Sequence, residues 1–254
     1  MTTSAGPRAR AARPTTTLTV TGREQLTPHL VRVRFSGDLA AFAQSACTDR
    51  YVKLELGDVL RTYTVRELDL DAQTLAIDFV VHGDDGVAGV WATRAEPGEV
   101  LVARGPGGAY SPDPEADWHL LAGDESALPA VAAALEALVA ADPDAVARVV
   151  VEVSGPDDVL PLPQGPRMEV SWALRAEGGS LDEAVRAVEW LPGRVHVFVH
   201  GEAGAVMHGI RPYVLKERGV PRADASISGY WRRGRSEEGF REWKAELSRA
   251  EGAG

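Results

Sequence analysis

The sequence contains one cysteine, Cys47, among its 254 residues. An internal disulfide, a Cys-rich zinc site and a cysteine-ligated iron–sulfur cluster each need two or more thiols. All three are therefore excluded, and this cysteine usage is typical of a reducing cytosol. We expect Cys47, in the loop-like stretch SACTD, to be a bystander rather than a nucleophile.

Long apolar runs and an excess of basic charge are also missing. No stretch approaches the roughly 18 apolar residues of a membrane span, and the N-terminus MTTSAGPRARAARP has no apolar signal region. The 27 basic side chains stand against 37 acidic ones, which gives a net charge of −10 and argues against a nucleic-acid surface. We expect a soluble, cytoplasmic monomer with a disordered arm at residues 1–14 and no nucleic-acid or membrane partner.

The motifs of several enzyme classes do not occur. The sequence has neither a G-x-S-x-G elbow nor a P-loop. Four histidines are scattered without the spacing of metal ligands, namely His29, His119, His196 and His208. We therefore predict no metal site.

The first half of the chain has the alternating pattern of short strands. Period-two segments broken by Gly, Asp and Pro predict a closed antiparallel barrel. The segments are TTLTVTG, HLVRVRFSG, YVKLELG, LRTYTVREL, TLAIDFVVHG and EVLVARG. One interruption, Gly86–Arg94, is predicted to be helical, and the Gly- and Pro-rich run Gly105–Asp117 is predicted to be a linker.

After Trp118 the pattern changes to alternating strands and helices. Apolar runs at WHLLA, RVVVEVS, RMEVSW, RVHVFVHG and ASISGYW are separated by helical patterns at Ser126–Ala141, Ser180–Trp190 and Ala203–Arg218, with a last one at Glu237–Leu247. This order predicts a doubly wound, mostly parallel sheet. The predicted architecture is a β-barrel domain at residues 15–112 followed by an α/β domain at residues 117–254.

The barrel half carries two candidate binding segments. One strand would present a cation, an aromatic plane and a hydroxyl, from Arg61, Tyr63 and Thr64. In a flavin site these groups can neutralise the phosphate, stack on the ring system and hydrogen-bond near the reactive nitrogen. An ordinary edge strand is the alternative.

In the run from His82 to Ala92, a glycine-rich turn leads into a helix, a geometry that binds anions such as pyrophosphate. A turn that caps a barrel helix, with Trp91 in the core, is the alternative interpretation.

The α/β half has two candidate nucleotide turns. Gly123–Pro129 follows a strand and opens a helix, with Asp124 or Ser126 as cap and Pro129 in the first turn. Strand ends of this kind bind ligands in α/β sheets, although a plain βα connection is the alternative. The segment Gly201–Gly204 lacks the full G-x-G-x-x-G fingerprint. Neither turn distinguishes NADH from NADPH.

Five segments together are more specific than any one of them. They are RTYTVRELD (61–69), DFVVHGDDGVAGVWA (78–92), GDESALPAVAAAL (123–135), HGEAGAVMHGIRPYVLKERGV (200–220) and SGYWRRGRSEEGF (228–240). In these segments, and in their order and spacing, the chain resembles the siderophore-interacting flavoproteins, or ferric-siderophore reductases, of the ferredoxin-reductase-like superfamily.

The resemblance implies an FAD-binding barrel and an NAD(P)H-binding domain, with electrons passing from NADPH or NADH through flavin to a ferric siderophore, so that iron(II) is released. It implies that Thr64 lies near the reactive edge of the flavin. The implied cofactor-binding residues are Arg61, Thr62, Tyr63, Thr64, His82, Gly86, Val87, Ala88, Trp91, Asp124, Glu125, Ser126, Ala127, Gly201 and Glu202. Val87 departs from the family pattern, which has proline in this turn, and Gly107-Gly108 replaces a more typical Arg-Gly.

The C-terminal run from Tyr230 to Arg235 sets three guanidinium groups beside two aromatic rings. Cations and aromatic faces suit an anionic ferric complex. The proposed substrate-binding residues of this run are therefore Arg232 and Arg233. The resemblance also implies a basic wall near the flavin, and it suggests Lys53, on the strand before Arg61, as the second member of that wall. Alternatively, this run is a solvated turn whose arginines pair with Glu237, Glu238 and Glu242.

Two other functions compete with the ferric-siderophore reductase. One is a flavin or quinone reductase on the same scaffold, and the other is a siderophore-binding protein without electron transfer.

Overall fold

The computed structural model describes residues 14–82 and 86–234, together with Gly239. Arg235 and, apart from Gly239, the predicted helix Glu237–Leu247 lie outside these residues, as does the predicted N-terminal arm except for Pro14. The division into domains at residues 15–112 and 117–254 remains a prediction.

Six antiparallel strands form a closed barrel in the order β1-β2-β5-β4-β3-β6, as the alternation predicts. Outward-facing side chains alternate with buried ones such as Val52 and Leu54 along β3. The six-residue helix α1 and a 3₁₀ turn, Ala40–Phe42, connect the strands. The bounds are β1 Thr15–Thr27, β2 Leu30–Gly37, β3 Tyr51–Leu56, β4 Val59–Asp69, β5 Thr74–Val80, α1 Val87–Ala92 and β6 Val100–Gly107.

Five parallel strands form the second sheet in the order β11-β10-β7-β8-β9. The strand order reverses between β7 and β10, which makes their carboxyl ends the expected ligand edge. The predicted fold class is therefore confirmed. The bounds are β7 Trp118–Asp124, α2 Leu128–Ala141, β8 Ala147–Val153, β9 Met168–Leu174, α3 Leu181–Ala187, β10 Val195–Glu202 and β11 Ala225–Trp231, with short 3₁₀ turns at Pro156–Asp158, Arg175–Glu177 and Arg222–Asp224.

Two helical predictions need correction. Helix α3 ends at Ala187 rather than at Trp190. The segment predicted as one α-helix over Ala203–Arg218 contains two π-helices, Gly204–Ile210 and Tyr213–Glu217, and the N–H of Arg211 donates to the carbonyl of Val206, five residues earlier. Pro212 has no N–H to donate to an α-helical ladder, and apolar spacing alone does not reveal the wider winding.

The barrel and the sheet share apolar packing and ion pairs. Leu30 from the barrel belongs to the same buried cluster as Leu121 and Phe198 of the sheet. Arg66 of β4 donates to both carboxylate oxygens of Glu136 on α2, at 2.7 and 2.9 Å. These contacts fix the relative placement of the two walls that form the site described below.

A hydrogen-bonded contact between the two halves, from His29 to Asp158, makes the stability of the fold depend on acid pH. Burial works to raise the pKa of the Asp158 carboxyl, but the hydrogen bonds it accepts from His29, at 2.9–3.2 Å, lower that pKa overall. A carboxyl with a lowered folded pKa stabilises the fold above its unfolded pKa of about 4 and loses that contribution as the pH falls through the folded value. Asp158→Asn should therefore remove about 1–3 kcal/mol at neutral pH.

Urea unfolding between neutral and strongly acidic pH measures this effect. The difference in free energy of unfolding between wild type and Asp158→Asn should shrink as the pH falls below about 4. Asp157→Asn is the matched control, because Asp157 is the exposed neighbour in the same turn. A constant difference at all pH values would contradict the assignment.

Candidate functional site

A cleft of about 700 Å³ lies between the barrel and the carboxyl edge of the sheet. Its volume is in the range of preformed small-molecule sites. The structure brings the following predicted residues to its walls: Lys53, Arg61, Thr62, Tyr63, Thr64, His82, Glu125, Ser126 and Arg232. One cleft thus unites residues that the sequence places up to 179 positions apart, from Lys53 to Arg232.

Strand β4 supplies the barrel wall with a cation, an aromatic ring and a hydroxyl. Arg61, Tyr63 and Thr64 all line the cleft. The ring of Tyr63 packs against Phe79 with 4.4 Å between centroids, so core packing fixes its plane. A phosphate, a flat ring system and a polar ring edge would each find a matching group along this strand, so the residues present fit FAD.

Thr64 is connected across the cleft to the second sheet. Its side chain is buried, and its hydroxyl hydrogen-bonds with the phenol of Tyr230 on β11. Burial raises the pKa of Tyr230, so the phenol stays protonated at neutral pH. The ring of Tyr230 meets His200 edge-on, with 4.8 Å between centroids. Sequence reasoning missed this positioning contact, because the two residues lie far apart in the chain.

The glycine turn before α1 does not line the cleft, unlike strand β4 of the barrel wall. Gly86, Val87, Ala88 and Trp91 are not among the residues that line the cleft. Trp91 packs on the barrel core, and its indole N–H donates to Glu99 at 2.9 Å, as in the alternative interpretation of this turn. The assignment of these four residues to the FAD phosphates and adenosine remains a prediction.

The carboxylate of Asp124 ties together three strand ends at the sheet's ligand edge. It accepts hydrogen bonds from the N–H and hydroxyl of Ser126 at 2.9 and 2.5 Å, from the N–H of Glu202 at 2.8 Å and from the indole N–H of Trp231 at 2.7 Å. Burial raises the pKa of this carboxyl, although these donors oppose the change. A Cβ on Gly201 would lie 2.8 Å from Asp124 Oδ2, so this position requires glycine.

This arrangement corrects the predicted cap of α2. The N-cap residue is Ala127, which has no side-chain capping bond, rather than Asp124 or Ser126. Pro129 lies in the first turn as predicted. Asp124 and Ala127 are buried, so their side chains support the turn instead of facing the cleft.

Three cations lie on the cleft walls. Lys53 and Arg61 come from neighbouring barrel strands, and Arg232 follows β11. Arg233 does not line the cleft: it is exposed, and its backbone N–H donates to Glu202 at 3.1 Å. Lys53 and Arg232 are thus the predicted substrate-binding residues that line the cleft, and the assignment of Arg233 to the substrate remains a prediction.

Two of the cleft's carboxylates are balanced by arginines. Asp78 accepts two hydrogen bonds from Arg32, at 2.6 and 2.8 Å, and Glu125 is paired with Arg175. Asp49 accepts the backbone N–H groups of residues 109 and 110 at 2.8 and 2.9 Å. The three carboxylates of the cleft wall thus accept hydrogen bonds from within the protein, while Lys53, Arg61 and Arg232 bring positive charge to the same walls of an acidic chain. Positive groups at a cleft attract anions locally.

Cys47 lies apart from this cleft, beside a smaller pocket of about 370 Å³. Cys47→Ser should therefore keep both bound flavin and turnover, since no step at the cleft walls uses the thiol. Absorbance of the purified variant and its steady-state rate check this. Loss of turnover in a folded, yellow variant would show that the thiol has a role.

An antiparallel barrel and a doubly wound sheet that face each other across such a cleft are the ferredoxin-reductase-like fold class. A ferredoxin reductase from a carbazole 1,9a-dioxygenase system has this fold, with a TM-score of 0.73 at 18% identity over 85% of this chain and 69% of its own. A siderophore utilization protein from T. fusca superposes with a TM-score of 0.76 at 34% identity, covering 89% and 96% of the two chains.

Sequence comparisons narrow this class to a family. The family model of the siderophore-interacting FAD-binding domain matches residues 55–110, and that of the siderophore-interacting protein matches residues 116–234. An uncharacterized protein of Mycobacterium tuberculosis is 48% identical over 95% of this chain and 98% of its own. The ferric vibriobactin reductase ViuB of Vibrio cholerae is 35% identical over 76% and 72%. The chain belongs to the siderophore-interacting protein family and has its FAD-binding domain.

Among the described residues, no helix combines the length and apolar character that a bilayer crossing requires.

Proposed function

We propose that the protein is an FAD-dependent reductase that passes electrons from NADH or NADPH through the flavin to iron(III) held by a siderophore. The observation that carries this proposal is the single cleft shared by β4 and the carboxyl edge of the parallel sheet. When bound, the flavin supplies the step from a two-electron donor to a one-electron acceptor. Each iron(III) takes one electron and is released as iron(II), so one nicotinamide reduces two irons.

The barrel wall would bind and orient the flavin. The Arg61 guanidinium would pair with phosphate, and the Tyr63 ring, held by Phe79, would stack on the ring system. The Thr64 hydroxyl, positioned by Tyr230, would lie at the reactive edge. No side chain needs to form a covalent intermediate.

Lys53 and Arg232 would attract the ferric complex. Many ferric siderophores are anionic, and the net charge of −10 would repel them unless local cations line the approach. Both cations lie at the cleft that would hold the flavin. Because one chain builds both walls, we propose that a monomer in the cytosol suffices.

Cofactor extraction followed by steady-state turnover tests the proposal. The purified protein should be yellow, release FAD, and oxidise NADH or NADPH only when a ferric siderophore is present, with iron(II) trapped by a ferrous chelator. Turnover with free flavin or quinones, but with no ferric complex, would favour the competing reductase. Flavin binding without any turnover would favour a siderophore-binding protein.

A further inference from the structure

Beside the cleft, one arginine is held between two carboxylates. Arg175 Nη1 donates to Glu125 and to Glu152, both at 2.9 Å, and Nη2 donates to Glu125 and, at 2.6 Å, to the hydroxyl of Ser154. The N–H of Leu181 donates to the second oxygen of Glu152 at 2.6 Å. We call Glu125, Glu152, Ser154 and Arg175 the clamp.

The clamp lies where a dinucleotide would place its adenosine ribose. Glu125 is in the turn between β7 and α2, Ser154 directly follows β8, and Arg175 directly follows β9. In doubly wound sheets the pyrophosphate lies at the N-terminus of the first helix. The ribose 2′ group lies near the carboxyl end of the following strand, which here is β8. The carboxylate or arginine at that position distinguishes a 2′-hydroxyl from a 2′-phosphate.

The charge of the clamp opposes a phosphate. Two carboxylates face one guanidinium, so the clamp has one negative charge in excess. Burial works to lower the pKa of Arg175, but its bonds to Glu125 and Glu152 raise that pKa overall. A 2′-phosphate could bind Arg175 only if the guanidinium left Glu125 and Glu152. These two largely buried carboxylates would then lack their cationic partner, which costs free energy.

We propose that the clamp selects NADH over NADPH, because its carboxylates can accept a hydrogen bond from a ribose hydroxyl and repel a phosphate. This inference rests on the proposed function, which requires a nicotinamide donor. Arg175 acts as the counter-ion of the clamp.

Calorimetry on the oxidised, FAD-loaded protein tests the inference without electron transfer. The probes are ADP-ribose and 2′-phospho-ADP-ribose, which differ only in the phosphate. The wild type should bind ADP-ribose at least about tenfold more tightly than 2′-phospho-ADP-ribose. This ratio of affinities should decrease as ionic strength rises from about 0.05 to 0.5 M, because salt screens the repulsion. Glu125→Gln and Glu152→Gln should each raise the affinity for 2′-phospho-ADP-ribose by roughly tenfold, since each leaves the clamp neutral.

Glu177→Gln is the matched control, because it removes one exposed carboxylate two residues from Arg175 without changing the clamp. It should change either affinity by less than about twofold. Equal or tighter binding of 2′-phospho-ADP-ribose by the wild type would overturn the inference and leave the proposed reductase intact. An effect of Glu177→Gln as large as that of Glu125→Gln would also overturn it. Binding of neither probe would overturn the nicotinamide donor and the inference together.

Discussion

Replacing Arg61 by alanine is expected to weaken FAD binding by about ten- to hundredfold. A charge-assisted hydrogen bond to phosphate contributes about 1.5–3 kcal/mol, and each 1.4 kcal/mol corresponds to a tenfold change in affinity. Arg61 lines the cleft on the strand that also carries Tyr63 and Thr64, so the loss should appear in the cofactor rather than in the fold. Titration of the apoprotein with FAD, followed by quenching of flavin fluorescence, measures the affinity.

Two further variants separate the phosphate contact from a general loss of charge. Arg61→Lys should recover only part of the affinity, because an ammonium lacks the planar fork of the guanidinium. Arg34→Ala, on strand β2 of the same barrel, should leave FAD affinity within about twofold, since this exposed arginine pairs with Glu67 and does not line the cleft. FAD affinity unchanged in Arg61→Ala would show that the guanidinium does not contact the cofactor.

The second large effect concerns the cations of the cleft. Lys53→Gln and Arg232→Gln should each raise KM for an anionic ferric siderophore several-fold, and the double variant by about tenfold or more. Both variants should leave flavin content and reduction by the nicotinamide nearly unchanged. The physical reason is the lost attraction for an anion in a protein of net charge −10.

Salt and a neighbouring arginine provide the controls. Raising ionic strength from about 0.05 to 0.5 M shortens the Debye length from roughly 14 to 4 Å, which should raise the wild-type KM more than that of the variants. Arg233→Gln removes an adjacent positive charge that does not line the cleft and should have little effect. A neutral iron complex should respond weakly to each change. Variants that match the wild type at low salt would show that these cations do not guide the substrate.

The sequence predicts the architecture because the elements follow local rules. The eleven strands found among the described residues are all anticipated by period-two alternation or by short apolar runs. Helix α2 is anticipated by its buried stripe of Leu128, Val131, Leu135 and Leu138. The two π-helices are not anticipated, because the apolar spacing of their own segment would equally suit an α-helix. Only Pro212 signals an interruption there.

Sequence reasoning predicts the residues of the site only where they lie together in one segment of the chain. Arg61 to Thr64 are adjacent in the sequence and reach the cleft together. The bond between Thr64 and Tyr230, the carboxylate of Asp124 shared by three strand ends, and the pairing of Glu125 with Arg175 all join residues from separate elements. Sequence reading finds the groups in these cases but not their partners. It assigns Asp124 to the cofactor, which remains a prediction, and does not anticipate the bonds that this carboxylate makes within the turn.

The most direct test of the reductase proposal is an anaerobic stopped-flow experiment on the FAD-loaded protein that follows the visible flavin band through both half-reactions. NADH should bleach the band. A ferric siderophore mixed in afterwards should restore it, with iron(II) appearing at twice the amount of coenzyme oxidised. A flavin that NADH and NADPH both fail to bleach, or a bleached flavin that no ferric siderophore restores, would contradict the account.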